Sequence, residues 1–189
     1  WSLHTISHNT VTVDATQQSG NNPGVVRMLA EGTGARVVEV DAPGTYPQCE
    51  TYRRTLVMVD VGPHQGYFVD FFTVVGGHEH DYSLHGPPGT FVLTGGQWTA
   101  PANGTLAGEN VGRDEIYDDP VLGAPGYAGS YMGYRGSGFQ HFTGVQRHEG
   151  GEWSGDYTHE KDPAAKLRIR VLDQPGQTVM LADARVTPV

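Results

Sequence analysis

The sequence has a single cysteine, Cys49, among its 189 residues. One thiol can neither close a disulfide within the chain nor supply the paired thiolates of a cysteine-based metal site. Any metal bound here must therefore rely on histidine and carboxylate ligands. Hydrophobic runs are also short: the most apolar stretch, residues 67–75, is interrupted by Asp70, and none approaches the ~20 residues needed to cross a bilayer. The sequence predicts no membrane-spanning segment.

Positive charge is scarce. Twelve lysine and arginine residues stand against twenty-one acidic residues, for a formal net charge of −9. A field of this sign repels polyanions, so nucleic acid is not an expected partner. The sequence also lacks the G-x-S-x-G, H-E-x-x-H and phosphate-loop motifs, which argues against the commonest hydrolases, metalloproteases and nucleotide-binding proteins. The catalytic residues of any reaction remain unknown from these patterns.

No window of helical length keeps a helical apolar stripe, while 27 glycines and 12 prolines separate short β-branched and aromatic runs. This pattern predicts an all-β fold, an antiparallel two-sheet β-sandwich spanning residues 1–189 as one domain. Strict alternation over residues 166–172 places Leu167, Ile169 and Val171 on a core face. Strands are predicted near residues 9–14, 25–30, 36–41, 52–61, 66–75, 79–85, 90–93, 139–147, 152–159, 166–172 and 178–182.

The segment 95–138 is different, because it is rich in glycine and tyrosine and has no sustained periodicity. A connection of this length without secondary structure is uncommon inside a compact domain and is often functional. We therefore treat it as a candidate binding loop. The alternative is a packed surface loop whose tyrosines cover the sandwich.

Nine histidines are present, and several cluster in the sequence. His78 and His80 project to the same face of an extended strand, whereas His85 falls on the other face. Zinc takes three or four ligands, so the pair His78 and His80 makes only half a site. The competing interpretation is that each is a partly buried histidine with an ordinary hydrogen bond. A weaker hypothesis is a metalloenzyme that uses His4, His8, His78 and His80.

Other residues are candidates for contact with a sugar. Arg53 and Arg54 face opposite ways along a strand, so at most one of them lines the core-side surface. Arg168 lies in a basic stripe with Lys166 and Arg170, which suits a carboxylated or sulfated sugar. The alternative is an ordinary solvated face of the strand. Trp98 and neighbouring aromatic residues would stack on sugar rings, or serve as core and rim residues. The candidate substrate-binding residues are Arg53, Tyr82, His85, Trp98 and Arg168.

Two segments carry a resemblance to a known family. Residues 4–14, HTISHNTVTVD, and residues 76–86, GGHEHDYSLHG, occur in this order with YRRTLVMVD at residues 52–60 between them. Together they resemble the β-sheet portion of the heparinase II/III-like polysaccharide lyases. The resemblance covers about residues 1–93 and implies a module that follows an N-terminal helical toroid. Such enzymes cleave uronic-acid polysaccharides, glycosaminoglycans among them, by β-elimination.

The resemblance also implies a zinc ion, held by a histidine of an H-x-H segment, an aspartate of a D-x-G segment and the histidine of HNTV. Only the last of these maps onto this chain, at His8. The other two ligands and the catalytic toroid residues would precede Trp1, so the chain is expected to be an excised downstream part of a larger lyase. Zinc is then expected in the full-length parent.

Two functions follow as hypotheses. The first is the β-sheet part of such a lyase, not catalytic alone, with the helical domain of the parent and an acidic polysaccharide as partners. The alternative is a carbohydrate-binding or adhesion module without catalysis. Family habit places such proteins outside the cell or in the periplasm, although this chain carries no signal peptide of its own.

Overall fold

The computed structural model of the chain describes residues 3–20, 23–171 and 176–184. The described part is mostly β-strand, and every strand pairing in it is antiparallel, as the sequence predicted. The chain divides into two compact units: residues 10–83, here the meander unit, and residues 1–9 with 84–189, here the loop unit. Within the described ranges no helix is long and apolar enough to span a membrane.

The meander unit is built on a four-stranded sheet in the order β2-β3-β4-β5. Its strands are β2 (Val25–Gly32), β3 (Ala35–Asp41), β4 (Cys49–Gly62) and β5 (Gln65–Gly76). Neighbours in sequence are neighbours in the sheet. Tight turns join β2 to β3 and β4 to β5, whereas residues 42–48, with a 3-10 turn at Pro43–Thr45, join β3 to β4. The turn between β4 and β5 puts His64 at φ 60°, and the turn between β2 and β3 puts Gly34 at φ 78°. These left-handed conformations match the right-handed twist of paired strands.

A two-stranded ribbon completes this unit, formed by β1 (Val11–Val13) and β6 (His80–Tyr82). Val11 and Val13 pack into a core with Tyr46, Cys49 and Tyr52. Tyr52 is buried, and its hydroxyl donates to the carbonyl oxygen of Val11 at 2.5 Å. Burial raises the pKa of Tyr52, so this side chain stays a neutral donor. The ribbon is thereby fixed to the sheet at its buried end.

The loop unit contains β7 (Gly89–Trp98), β8 (Thr143–His159), β9 (Lys166–Ile169) and β10 (Met180–Asp183). The long strand β8 pairs with all three of the others. The β7–β8 register shifts near Gly95 and Gly150, where glycines adopt positive φ. Such bulges bend the strand and re-aim its side chains.

Residues 99–142 connect β7 to β8. Within this stretch the structure has a bridge between Thr105 and Gly108 and short 3-10 turns at Tyr131–Gly133 and Phe139–His141. A further 3-10 turn, Thr5–Ser7, belongs to the same unit. The buried residues of the connection include Tyr134, Ser137 and Gln140. Polar side chains therefore make much of its interior.

The predicted strands are confirmed in order but not in number, because eleven were predicted and the described part of the chain has ten. The predicted strands 139–147 and 152–159 form one strand, β8, because glycine bulges replace the expected turn, and its first predicted residues form a 3-10 turn. The predicted core residue Leu167 is 39% exposed, so the core-face prediction for β9 is wrong there. Leu172, the last residue of that predicted strand, lies outside the described residues. Trp98 and the preceding glycines, predicted as loop, belong to β7.

Candidate functional site

The parts of the two motif segments that belong to the meander unit, residues 10–14 and 76–83, lie side by side. In the ribbon, Val11 pairs with Tyr82, Thr12 with Asp81 and Val13 with His80. Asp14 ends the first segment at φ 51°. Its Oδ1 accepts hydrogen bonds from the backbone N–H groups of His78, at 2.7 Å, and Glu79, at 3.0 Å. These two bonds favour the charged carboxylate and so lower the pKa of Asp14. The carboxylate thereby holds the backbone of the two residues just before β6.

The ribbon carries a buried polar pair. Thr12 and Asp81 are directly opposite each other, and both Thr12 Oγ1 and Asp81 Oδ2 are buried without a hydrogen-bond partner. Desolvation, together with the nearby charge of Glu79, raises the pKa of Asp81 to about 6. A carboxyl group with such a pKa can hold or release a proton near neutral pH, which is a property of acid–base sites.

The three predicted metal ligands are divided between the two units. His8 is an exposed residue of the loop unit, whereas His78 and His80 are exposed residues of the meander unit. His80 uses its Nε2 in a 2.8 Å hydrogen bond with the carbonyl oxygen of Gly76. Across the described residues no three histidine, cysteine or carboxylate side chains are grouped so that they could hold a metal. The family's zinc therefore does not fit the residues of this chain alone.

Tyr82, a predicted sugar-contact residue, lies in a hydrogen-bonded group with Asp70 and Arg54. Its hydroxyl donates to Asp70 Oδ2 at 2.8 Å, and Arg54 binds both oxygens of Asp70, at 3.0 and 2.7 Å. Desolvation and the Asp70 hydrogen bond raise the pKa of Tyr82 to about 12. The Arg54 guanidinium also lies 5.5 Å from the centroid of the Phe72 ring. Of the arginine pair, Arg54 is thus the one beside Tyr82, and sequence reasoning named Arg53 instead.

Arg53 lies on the other side of β4, where it donates to Asp41 Oδ2 at 3.3 Å. Arg27 donates to the same oxygen at 3.2 Å. Asp41 Oδ1 and Arg53 Nε are buried without a hydrogen-bond partner. Arg53 is therefore held in an ion-pair cluster within the sheet.

The remaining candidates lie in the loop unit. His85 Nε2 contacts the carbonyl oxygen of Ile6 at 2.8 Å, and the backbone N–H of His85 donates to Asn9 Oδ1 at 2.6 Å. Because a carbonyl oxygen only accepts, Nε2 carries the proton in that bond. His85 thus fixes the 3-10 turn of the first motif segment. Arg168 binds both carboxylate oxygens of Asp156, at 2.7 and 2.8 Å.

Trp98 belongs to an aromatic cluster on β7 and β8. Its ring centroid lies 5.3 Å from that of Trp153 and 5.1 Å from that of His148. All three side chains are partly exposed. A Cβ on Gly96, which has φ 72°, would lie 2.8 Å from Trp98 Nε1. Only glycine leaves room for the rings at this bulge.

Sequence reasoning missed a second polar site, here called the loop cluster. It is formed by His4, Asp114, Asp118, Tyr134, Gln140 and His141. His4, Tyr134, Gln140 and His141 are each at least nine-tenths buried. Tyr134 donates to Asp118, and His141 Nδ1 lies 2.7 Å from Asp114 Oδ1. No regular spacing in the sequence connects these residues, because the turns of the 99–142 segment bring them together. The only sequence signal was the glycine and tyrosine content of that segment, from which it was predicted as a candidate binding loop.

Comparison of the chain with protein-family models, with curated proteins and with solved structures finds no match in any of the three.

Proposed function

We propose that this chain is the β-sheet part of a heparinase II/III-like polysaccharide lyase and that it is not catalytic alone. The observation that carries the proposal is the ribbon: the HNTVTVD and GGHEHDYSLHG segments, which are far apart in sequence, pair strand to strand. Asp14 of the first segment also holds two backbone N–H groups of the second. Segments that share one structural element are expected to occur together in one family module.

The proposal includes the finer architecture and setting. The antiparallel sheets would form a two-sheet sandwich against which the helical domain of the parent packs. The substrate would be an acidic polysaccharide, and the protein would act outside the cell or in the periplasm. Zinc would bind in the parent, with His8 as one ligand and the others from preceding residues.

The chemistry sets what this module must do. In β-elimination a base removes the C5 proton of a uronate and an acid protonates the leaving oxygen. The substrate carboxylate must be neutralised so that the C5 proton becomes acidic enough. Tyr82, held by Asp70 and flanked by Arg54, offers a hydroxyl and a guanidinium side by side in the meander unit. We assign this group to contact with the polysaccharide, because the Tyr82 hydroxyl is held by Asp70 and the Arg54 guanidinium lies beside it.

The test compares this chain alone with the chain joined to its upstream helical domain. Heparan sulfate, chondroitin, hyaluronan, alginate and ulvan are each incubated with both proteins, and the ultraviolet absorbance of unsaturated uronate is followed. We expect product from the joined protein only. His8→Ala should abolish it, whereas His64→Asn in the β4–β5 turn should not. A joined protein that cleaves none of these polymers would overturn the proposal, and cleavage by the chain alone would place the catalytic residues within it.

A carbohydrate-binding module without catalysis is the second candidate, favoured by the aromatic cluster of Trp98, His148 and Trp153. Partly exposed tryptophans offer apolar ring surface for sugar rings. Binding to a glycan array that survives in the chain alone and is lost in Trp98→Ala, with no product from the joined protein, would support this function over the lyase module. Retention of no acidic or neutral sugar would exclude it.

A further inference from the structure

The loop cluster holds two histidines whose rings are fixed in the manner of metal ligands. His141 Nδ1 lies 2.7 Å from Asp114 Oδ1, and His4 Nδ1 lies 3.3 Å from the carbonyl oxygen of Gly136. A carboxylate and a carbonyl only accept, so each Nδ1 is the donor. In the neutral form of each ring, Nε2 then carries the lone pair. Metal-binding histidines typically donate their other nitrogen to a carboxylate or backbone carbonyl in this way.

The spacing of the two rings suits a shared ion. Their centroids lie 5.2 Å apart with an interplanar angle of 47°. Two imidazoles bound to one tetrahedral ion, with metal–nitrogen bonds of about 2.0–2.1 Å, have centroids about 5 Å apart. Gly138 permits this approach, because a Cβ there would lie 2.7 Å from His4 Cβ.

A buried oxygen without a partner belongs to the same cluster. Gln140 is fully buried, its Nε2 donates to the Tyr134 hydroxyl at 3.0 Å, and its Oε1 has no hydrogen-bond partner. The Tyr134 ring is 5.1 Å from that of His4. An amide oxygen left unsatisfied in the interior costs free energy unless something binds it. A cation or a water molecule would remove that cost.

Charge and access are also suitable. The carboxylates of Asp114 and Asp118, which hold His141 and Tyr134, offset the charge of a divalent ion at close range. The Asp114 side chain is 37% exposed while that of His141 is 10% exposed, which leaves an entry from solvent beside the carboxylate.

We propose that the loop cluster binds one divalent first-row transition metal ion, with His4 and His141 as nitrogen ligands and the Gln140 amide oxygen as a third ligand. Imidazole nitrogen with an amide oxygen suits zinc, cobalt or copper rather than magnesium or calcium. The site uses none of the residues that the lyase family gives to its zinc, and it does not depend on the proposed lyase function.

The test uses the whole 189-residue chain, freed of metal with a chelator and titrated with Co²⁺, then with Zn²⁺ by calorimetry. We expect one ion per chain and visible cobalt absorption typical of fewer than six ligands. His4→Phe and His141→Phe keep the ring packing and should weaken binding at least 100-fold. Asp114→Asn should weaken it about 10- to 100-fold, because it removes the carboxylate that orients His141.

Two control variants decide where a bound ion sits. His148→Phe removes another imidazole of the loop unit and should leave the affinity unchanged. His8→Ala should also leave it unchanged; loss of binding in that variant alone would place the ion at the family's zinc position and overturn the proposal. The proposal also fails if no ion binds with 1:1 stoichiometry. Circular dichroism of each variant shows whether it is folded, and Asp114→Asn keeps the test valid if a ring substitution unfolds the loop.

Discussion

At the scale of single residues, the ribbon places an ionisable group where water is excluded. Asp81 has a buried Oδ2 without a partner, and its pKa is raised to about 6 from 3.8. The folded state therefore binds the Asp81 proton more tightly than the unfolded chain does. Asp81 favours folding below about pH 4 and costs stability once the pH rises through about 6.

The change Asp81→Asn should therefore stabilise the protein at pH 7.5 and confer much less advantage at pH 4.5. Urea unfolding of the two proteins at both pH values gives the difference in their free energies of unfolding. The titration of all other groups is common to both proteins and cancels in that difference. An advantage of equal size at both pH values would show that Asp81 is not the titrating group.

A second residue-scale prediction concerns two bidentate arginine–aspartate pairs. Arg54 on Asp70 is 28% exposed, whereas Arg168 on Asp156 is 61% exposed. Lysine cannot reproduce the paired bonds in either place. We expect Arg54→Lys to cost roughly 1–3 kcal/mol, because the pair is partly desolvated. Arg168→Lys should cost less than Arg54→Lys, because exposed ion pairs contribute little to stability. Equal losses in chemical denaturation would contradict this assignment.

Sequence patterns predicted some residues of the polar clusters and missed others. Tyr82 stood out through its motif, and it does lie in a built polar group. Arg54 was missed because alternation along a strand shows only that neighbouring side chains face opposite ways. It does not show which of the two arginines meets Asp70 on the neighbouring strand. His4 was named as a possible metal ligand, but its pairing with His141 was missed, because their proximity depends on turns that have no periodic signature.

At the scale of elements, strand boundaries followed from glycine, proline and alternation, since turn chemistry is local. The fusion of two predicted strands into β8 could not be foreseen. Glycines at positive φ mark a turn and a bulge equally well, and only the pairing with β7 separates the two.

The ends of the β4–β5 hairpin supply an element-scale prediction. Gly76 has φ 102°, and a Cβ there would lie 2.2 Å from the backbone oxygen of Gln48, whereas a Cβ on Gly62 meets nothing within 4 Å. Gly76→Ala should destabilise the protein by more than about 2 kcal/mol, because both strain and a backbone clash must be relieved. Gly62→Ala is the matched control and should change stability by less than about 1 kcal/mol. Thermal melts of both variants give the comparison.

At the scale of the whole molecule, the meander unit presents much apolar surface. All eight residues of the edge strand β2 are exposed, and Leu29 and Phe68 are 80% and 64% exposed. A shallow depression on the same sheet is lined by Leu29, Leu56, Met58 and Phe68, with neighbouring residues of β3. An unpaired edge beside an apolar face favours association with further strands.

We therefore expect the isolated chain to self-associate as its concentration rises, despite a net charge of −9. Leu29→Lys should shift this association to higher concentration, because it places a charge in the middle of the edge strand. Met132→Lys, at a position 90% exposed in the loop unit, makes the same change of charge and should not. Sedimentation velocity over a concentration series measures both. Equal behaviour of the two variants would exclude β2 as the associating edge.

The long connection between β7 and β8 also has a consequence for the order in which the chain folds. Strands β2 to β5 are joined by short connections, whereas Trp98 pairs with His148 across the whole 99–142 segment. Doubling the length of a loop adds only about 0.6 kcal/mol to the entropy of closure, so the connection burdens stability little. Pairing of distant strands slows folding far more. We therefore expect the meander unit to form first and His4 and His141 of the loop cluster to meet later.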